Sequence, residues 1–217
     1  MIELSLIQKI AVAILPVLFA ITVHEVAHGW VAKKLGDPTA FMMGRLTLNP
    51  IKHIDPVGTV LVPLVLVWLG GFIFGWAKPV PVTWQNLNNP KRDMALVALA
   101  GPMANLIMAF IWALIAKFGF ALTPSLGMPG QMLILMGLFG IMVNVILMVL
   151  NLLPILPLDG GRITESFLPG PLAYKYSRLE PYGFVVLIVL LATGLLGQVM
   201  GVPVSMIETY IYQIIGL

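Results

Sequence analysis

The ionisable residues best suited to chemistry lie together in one apolar stretch of the chain. Between Ile10 and Ala32 the only ionisable residues are His24, Glu25 and His28, which form the motif His-Glu-Val-Ala-His. On an α-helix, positions i and i+4 share a face, so both imidazoles can bind one metal ion. Glu25 can then touch a water at that ion without binding the ion itself. Two histidine ligands beside a glutamate general base form the arrangement of a zinc metalloprotease.

The apolar surroundings of this motif make it a functional candidate. A charged side chain within a bilayer is costly, so ionisable residues in a membrane span usually serve a function. In the alternative interpretation, the two histidines are hydrogen-bonded to neighbouring backbone groups or to Glu25 and bind no metal.

A hydrolytic zinc ion also needs a third protein ligand and an open position for water. The chain has no cysteine, its only other histidine is His53, and no acidic residue occurs from Met94 to Leu158. Asp159, which follows that stretch and precedes Gly160-Gly161, is the predicted third ligand. Alternatively, Asp159 is a loop aspartate that caps the two glycines. We expect His53, in a loop, to have a structural or pH-tuning role.

Composition places these residues in a membrane protein. Of the 217 residues, 59% are hydrophobic and 10% are charged, whereas soluble domains are about 25% charged. Several apolar runs reach the roughly 20 residues that a transmembrane helix needs. We predict an all-α polytopic membrane protein with about four full transmembrane helices, at 10–32, 94–116, 131–153 and 182–200. The chain is expected to form one membrane-embedded domain, 1–217, with a catalytic core at about 10–165 and an extra span and tail at 182–217.

Two further segments complete the predicted architecture. The apolar segment 57–76 is interrupted by proline and glycines, which favours a re-entrant or hairpin segment over a full crossing. The bulky and β-branched residues of Phe41–Leu48, around Gly44, predict a short pair of strands.

Topology supports the proposed ligand set. If 57–76 is re-entrant, the helix ends near His28 and Asp159 lie on the same membrane face. Of the 12 lysines and arginines, all but Lys9 and Lys117 then lie on that face. The positive-inside rule assigns it to the cytoplasm.

Three motifs together resemble a known family. They are His24-Glu-Val-Ala-His28, Gly101-Pro-Met-Ala-Asn105 and Asn151-Leu-Leu-Pro-Ile-Leu-Pro-Leu-Asp-Gly-Gly-Arg162. Together they resemble the site-2 proteases, which are zinc intramembrane metalloproteases, and the stretches 48–59 and 75–82 resemble its compact prokaryotic branch. The segment 117–130 is too short for the PDZ domain of many members, and no regulatory domain is expected after the last span.

The resemblance implies roles for individual residues. One zinc ion per chain would be held by His24, His28 and Asp159, with Glu25 as the catalytic base. Asn151 would lie near the active site and bind the substrate or the oxyanion. The membrane-associated β-hairpin of the family would fall at Phe41–Leu48, where an extended substrate strand could pair with it. The candidate substrate-binding residues are Asn105, Gly44, Arg45 and Thr47. A structural role for Asn105, as an interhelical hydrogen bond, is the alternative.

These features predict an intramembrane zinc endopeptidase that acts in regulated intramembrane proteolysis. Its expected partners are the lipid bilayer and a membrane-anchored protein with a transmembrane helix. No nucleic-acid partner is expected, because the basic residues follow the membrane topology. The expected location is a prokaryotic inner or plasma membrane, with the active site near the cytoplasmic face. Two alternatives are a divalent-metal transporter, against which the lack of an internal repeat argues, and a catalytically silent binder of transmembrane segments, against which the intact Glu25 argues.

Overall fold

Helices form the regular structure in the residues that the computed structural model describes, which are 5–61, 64 and 77–217. No β-strand occurs within those ranges. The α-helices there are α1 (Leu6–Lys34), α2 (Thr39–Met42), α3 (Pro90–Leu126), α4 (Met128–Asn151), α5 (Asp159–Phe167), α6 (Gly170–Ser177), α7 (Glu180–Ala192) and α8 (Leu195–Ile215). Shorter helical turns cover Pro50–His53, Pro56–Leu61 and Trp84–Asn86. The predicted all-α class is confirmed for the described residues.

Three of these helices, α1, α3 and α4, are long and apolar enough to cross a membrane. They contain 29, 37 and 24 residues, and about 20 residues suffice for a span. Among the described residues, the count reaches four only if α7 and α8 cross as one broken unit, because the two helices meet at 83°. The straight span predicted at 182–200 is therefore corrected. Gly194, at φ +76°, separates α7 from α8 in a conformation that glycine adopts readily.

The helices α3 and α4 form the centre of the bundle. The chain was expected to leave the helix at 117, but α3 continues to Leu126 and only Gly127, at φ +63°, separates it from α4. Small residues allow the two helices to approach closely: a Cβ on Gly137 would lie 2.6 Å from the Cβ of Ala116. Trp112, Ile141 and Val145 fill the core between them. α1 packs against this pair of helices.

The segment that follows α1 corrects the predicted β-hairpin. Instead of pairing as strands, Phe41–Leu48 begins with the last two residues of α2 and continues as irregular chain. The reason lies just upstream, where the fully buried Asp37 carboxylate accepts hydrogen bonds from the backbone N–H of Thr39 (3.0 Å) and of Thr83 (2.6 Å). The first of these bonds favours a helical turn at 39–42, and Gly44, at φ +64°, then redirects the chain.

Little of the predicted re-entrant segment can be compared with the structure. Residues 57–61 belong to a π-helical turn, Pro56–Leu61. The remainder of 57–76, apart from residue 64, lies outside the described residues.

Candidate metal centre

The three predicted metal ligands meet in space. His24 and His28 project from one face of α1, and Asp159 is the first residue of α5. The Nε2 atoms of the two histidines are 3.0 Å apart. Oδ2 of Asp159 lies 3.2 Å from Nε2 of His24 and 3.3 Å from Nε2 of His28. Within the described part of the chain, no other group of three His, Cys, Asp or Glu residues could hold a metal ion.

These distances fit a zinc ion. Zinc–nitrogen bonds of about 2.0–2.1 Å in a tetrahedron place neighbouring ligand atoms about 3.3 Å apart. The three ligand atoms form a triangle with edges of 3.0, 3.2 and 3.3 Å. An ion bound to three atoms of a tetrahedron keeps its fourth position free for a water or a substrate.

Hydrogen bonds behind the two histidines fix which ring nitrogen faces the centre. Nδ1 of His24 lies 2.6 Å from Oδ1 of Asn105, and Nδ1 of His28 lies 2.7 Å from the backbone oxygen of Val97. Carbonyl oxygens can only accept, so each ring carries a proton on Nδ1, and in the neutral ring this is the sole ring proton. The lone pair on each Nε2 is then free to bind a metal, as in other histidine metal sites with an outer hydrogen-bond partner.

The resulting cluster of electron-pair donors needs a cation. With both protons on Nδ1, the two Nε2 atoms present lone pairs to each other and to the Asp159 carboxylate. Oδ2 of Asp159 is buried and has no hydrogen-bond donor among the described residues. Three acceptors this close repel one another unless they share a positive ion. This favours a metal centre over the alternative in which the histidines and Asp159 only satisfy nearby backbone.

Bare backbone of α3 forms one wall of the centre. A Cβ placed on Gly101 would lie 2.4 Å from Nε2 of His28 and 2.6 Å from Nε2 of His24. Any side chain at this position would enter the space around the metal-binding atoms. The glycine of Gly101-Pro-Met-Ala-Asn105 thus leaves room for the ion, while the asparagine one turn later supports His24.

Two glycines allow Asp159 to reach this position. A Cβ on Gly160 would lie 2.2 Å from the backbone oxygen of Leu152, and a Cβ on Gly161 would lie 2.6 Å from the backbone nitrogen of Leu156. The start of α5 can therefore pack directly against the turn that follows α4. This close approach brings the Asp159 carboxylate to the two histidines.

Glu25 lies beside the metal-ligand group but outside it. The half-buried Glu25 side chain accepts a hydrogen bond at Oε2 from the backbone N–H of Val80, at 2.7 Å. Val80 belongs to the irregular segment 77–83, which the buried Arg45 holds by donating from Nη2 to the backbone oxygen of Lys78, at 2.8 Å. One carboxylate oxygen of Glu25 is thus fixed by the backbone.

The remaining predicted site residues are not members of the metal-ligand group, and each has its own surroundings. Asn151 donates from Nδ2 to the backbone oxygen of Leu147, on its own helix, at 3.0 Å. The backbone oxygen of Thr47 lies 2.9 Å from Nε2 of His53, and Gly44 is exposed. Of the residues predicted to bind substrate, only Asn105 contacts a metal ligand, and its place is behind His24. The substrate-binding roles of the others stay predictions.

Three groups at the site were not predicted from the sequence. Val80 and Val97 contribute backbone groups, so the types of their side chains give no sign of these contacts. Asn144 is different, because it is a fully buried amide within an apolar helix and contacts Asn105. Its position in a predicted span was a signal of function that could have been used.

Comparisons with known proteins agree with the motifs. The profile of peptidase family M50 matches residues 12–133 and 128–193. YwhC of Bacillus subtilis, named as a candidate zinc metalloprotease, is 42% identical over 187 residues, which cover 84% of this chain and 80% of YwhC. Rip2 of Mycolicibacterium smegmatis, also named as a candidate zinc metalloprotease, is 32% identical over 83% of this chain and 66% of Rip2. No solved structure matches the chain. The chain therefore belongs to peptidase family M50, the site-2 protease family that its three motifs resemble.

Proposed function

We propose that the chain is an intramembrane zinc endopeptidase that hydrolyses peptide bonds in or near transmembrane segments of membrane-anchored proteins. The observation that carries this proposal is the meeting of His24, His28 and Asp159, each with one potential ligand atom at 3.0–3.3 Å from the others. In the proposal these three residues hold the zinc ion. The names of the relatives and the family membership support the same chemistry.

Glu25 acts as the general base in this proposal. A zinc ion held there would supply Lewis acidity, which would lower the pKa of a water to about 7 and polarise a carbonyl group. Glu25 accepts a proton from the attacking water and delivers it to the leaving amine. Its Oε2 is held by the N–H of Val80, so Oε1 is the atom that handles the proton. Glu25 is not a member of the ligand group, which leaves it free for this role.

Asn151 has a supporting role in the proposal. The residue ends α4, eight residues before Asp159, which begins α5. One amide hydrogen bonds to Leu147. Its second hydrogen is the donor that stabilises the negative oxygen formed during peptide hydrolysis.

The depth of the centre supports cleavage within the membrane. His24 and His28 precede the end of α1 at Lys34 by ten and six residues. At 1.5 Å per residue, the ligands lie about 15 Å and 9 Å from that helix end. Lys33 and Lys34 mark the end as the side nearest to the water–membrane interface. In the proposal this is the cytoplasmic side of a prokaryotic cell membrane.

A cleavage assay tests this function. A library of fusion proteins, each with one transmembrane helix between two soluble tags, would be co-reconstituted in vesicles with the full chain or with Glu25→Gln. We expect shortened fusion products with the wild-type chain and none with Glu25→Gln. Zinc uptake into vesicles by both proteins, with no cleavage of any fusion, would instead show a metal transporter and would overturn the proposal.

A further inference from the structure

A fully buried amide on α4 has no role in the proposed chemistry. Asn144 is 0% exposed and lies in α4, a helix apolar enough to cross a membrane. A buried amide in such surroundings is costly unless its polar atoms are bonded. Asn144 donates from Nδ2 to the backbone oxygen of Gly140 at 2.8 Å and accepts at Oδ1 from Nδ2 of Asn105 at 2.9 Å.

These bonds have a fixed direction. The backbone oxygen of Gly140 can only accept, so the NH₂ group of Asn144 must face it. Oδ1 of Asn144 then faces Asn105, which must present its own NH₂ group. The second hydrogen of that group goes to the backbone oxygen of Ala20, at 3.1 Å. Both hydrogens of Asn105 are therefore used, and its Oδ1 is left for Nδ1 of His24, at 2.6 Å.

The direction matters because an asparagine amide can turn over. If Asn105 turned its NH₂ group toward His24, Nδ1 of His24 would have to accept the hydrogen bond. The neutral His24 ring would then carry its proton on Nε2. That proton would face His28 and Asp159 and would remove the lone pair that binds the metal. The orientation of one amide thus decides whether His24 can be a ligand.

We infer that Asn144 is a positioning residue for the metal centre, which acts through Asn105 to hold His24 in the form that binds zinc. The inference rests on the proposed function, in which His24 is a zinc ligand. It assigns to α4 a part in metal binding, although no residue of α4 belongs to the metal-ligand group. We refer to His24, Asn105 and Asn144 as the amide relay.

Zinc affinity, measured by competition with a chromophoric chelator on the purified full chain, tests the amide relay. Loss of an outer hydrogen-bond partner typically lowers metal affinity about 10–100-fold. We expect Asn105→Leu to lower zinc affinity by a factor in the upper part of that range. Asn144→Leu should lower zinc affinity about tenfold, because Ala20 still holds Asn105 in part.

A conservative variant separates positioning from packing. In the apolar interior the carboxyl group introduced by Asn144→Asp stays protonated. Its O–H can donate to the Gly140 oxygen while its other oxygen accepts from Asn105, so the direction of the relay is kept. We expect Asn144→Asp to bind zinc with nearly wild-type affinity. If Asn144→Leu does not fold, Asn144→Ser, whose hydroxyl is too short to reach Asn105, should show the same tenfold loss.

A control variant and two contrary results complete the test of the amide relay. Thr123→Val removes a hydroxyl that bonds within α3, to the oxygen of Gly119 at 2.7 Å, and should leave zinc affinity unchanged. The visible absorption of the cobalt-substituted protein should show a weakened tetrahedral spectrum in Asn144→Leu and an unaltered one in Thr123→Val. Equal zinc affinity of the wild type and Asn144→Leu would overturn the amide relay alone. A wild-type chain that binds no zinc would overturn the proposed function.

Discussion

Two regions of this molecule are positioned in different ways. The proposed metal centre is formed by regular helices: two candidate ligands lie four residues apart on α1, and the third begins α5. The surface around Glu25 is formed by irregular chain, held by single hydrogen bonds between residues far apart in sequence. Glu25 and Val80 are 55 residues apart, Asp37 and Thr83 are 46 apart, and Arg45 and Lys78 are 33 apart. Helical spacing already brings two of the ligands together, whereas the surface depends on contacts between distant residues.

The largest effect is expected where helix backbone forms the wall of the metal centre. Gly101→Ala would place a methyl group 2.4 Å from Nε2 of His28, so it should abolish zinc binding and proteolysis while the bundle stays folded. Elemental analysis and circular dichroism would check this. Gly201→Ala on α8 is the matched control, because a Cβ there meets nothing within 4 Å. Full zinc occupancy in Gly101→Ala would show that the centre lies elsewhere.

The next effect separates the metal ligands from the base. Glu25→Gln should keep zinc and lose about 10²–10⁴-fold in kcat, because it removes only the group that transfers the proton. The glutamine oxygen can still accept from the N–H of Val80, so the 77–83 segment should stay in place. Zinc content and cleavage of a fusion substrate are the two measurements. Unchanged kcat would remove Glu25 from the mechanism.

A smaller effect is expected when the surface around Glu25 loses one hydrogen bond. Val80→Pro removes the N–H that holds Oε2 of Glu25, and a hydrogen bond to a charged group contributes about 1.5–3 kcal/mol. We expect kcat to fall about 10–100-fold with zinc content unchanged. Val80→Ala keeps the N–H and should retain most of the activity. Equal activity of the two variants would mean that this bond does not orient the base.

The smallest effect on activity is expected at Asp37, where the expected change is in stability and depends on pH. Burial alone would raise the pKa of Asp37, but hydrogen bonds from Thr39, Asn86 and Thr83 outweigh it and lower the pKa below its usual value. The ionised form is therefore favoured by folding. This stabilisation is complete above the unfolded pKa of about 3.9 and is lost as pH falls through the lower folded pKa.

Thermal melts at several pH values would measure the contribution of Asp37. Asp37→Asn should destabilise the chain by about 1–3 kcal/mol near neutral pH, with less loss as the pH falls toward the folded pKa. Zinc content should not change, since Asp37 is no part of the metal centre. A destabilisation that stays constant down to the lowest pH would contradict the role of its charge.

The sequence predicts well the helical region that carries the candidate metal ligands. The spacing of His24 and His28, with the absence of acidic residues from Met94 to Leu158, was enough to identify the candidate ligands. Three predicted spans correspond to α1, α3 and α4 because their apolar runs are long. The bounds are less accurate, since α3 runs past Lys117. That side chain bonds to the backbone oxygen of Ile215, a contact between distant parts of the chain that no local pattern reveals.

The irregular chain around Glu25 was predicted less well, because its conformation depends on contacts between residues far apart in the sequence. The β-hairpin at Phe41–Leu48 was inferred from residue types, but the hydrogen bonds of Asp37 to Thr39 and Thr83 favour a helical turn. The break between α7 and α8 depends on one glycine, Gly194, in a left-handed conformation. Asn105 was noted as a possible interhelical hydrogen bond, but its partners His24 and Asn144 became evident only from the packing of three helices.

The most direct test of the account is the zinc content of three purified proteins, measured by elemental analysis. They are the wild-type chain, Glu25→Gln and Asp159→Ala. The account predicts one zinc ion per chain in the wild type and in Glu25→Gln, and none in Asp159→Ala. Zinc retained by Asp159→Ala, or lost from Glu25→Gln, would contradict the assignment of ligands and base, and a wild-type chain without zinc would contradict the metal centre itself.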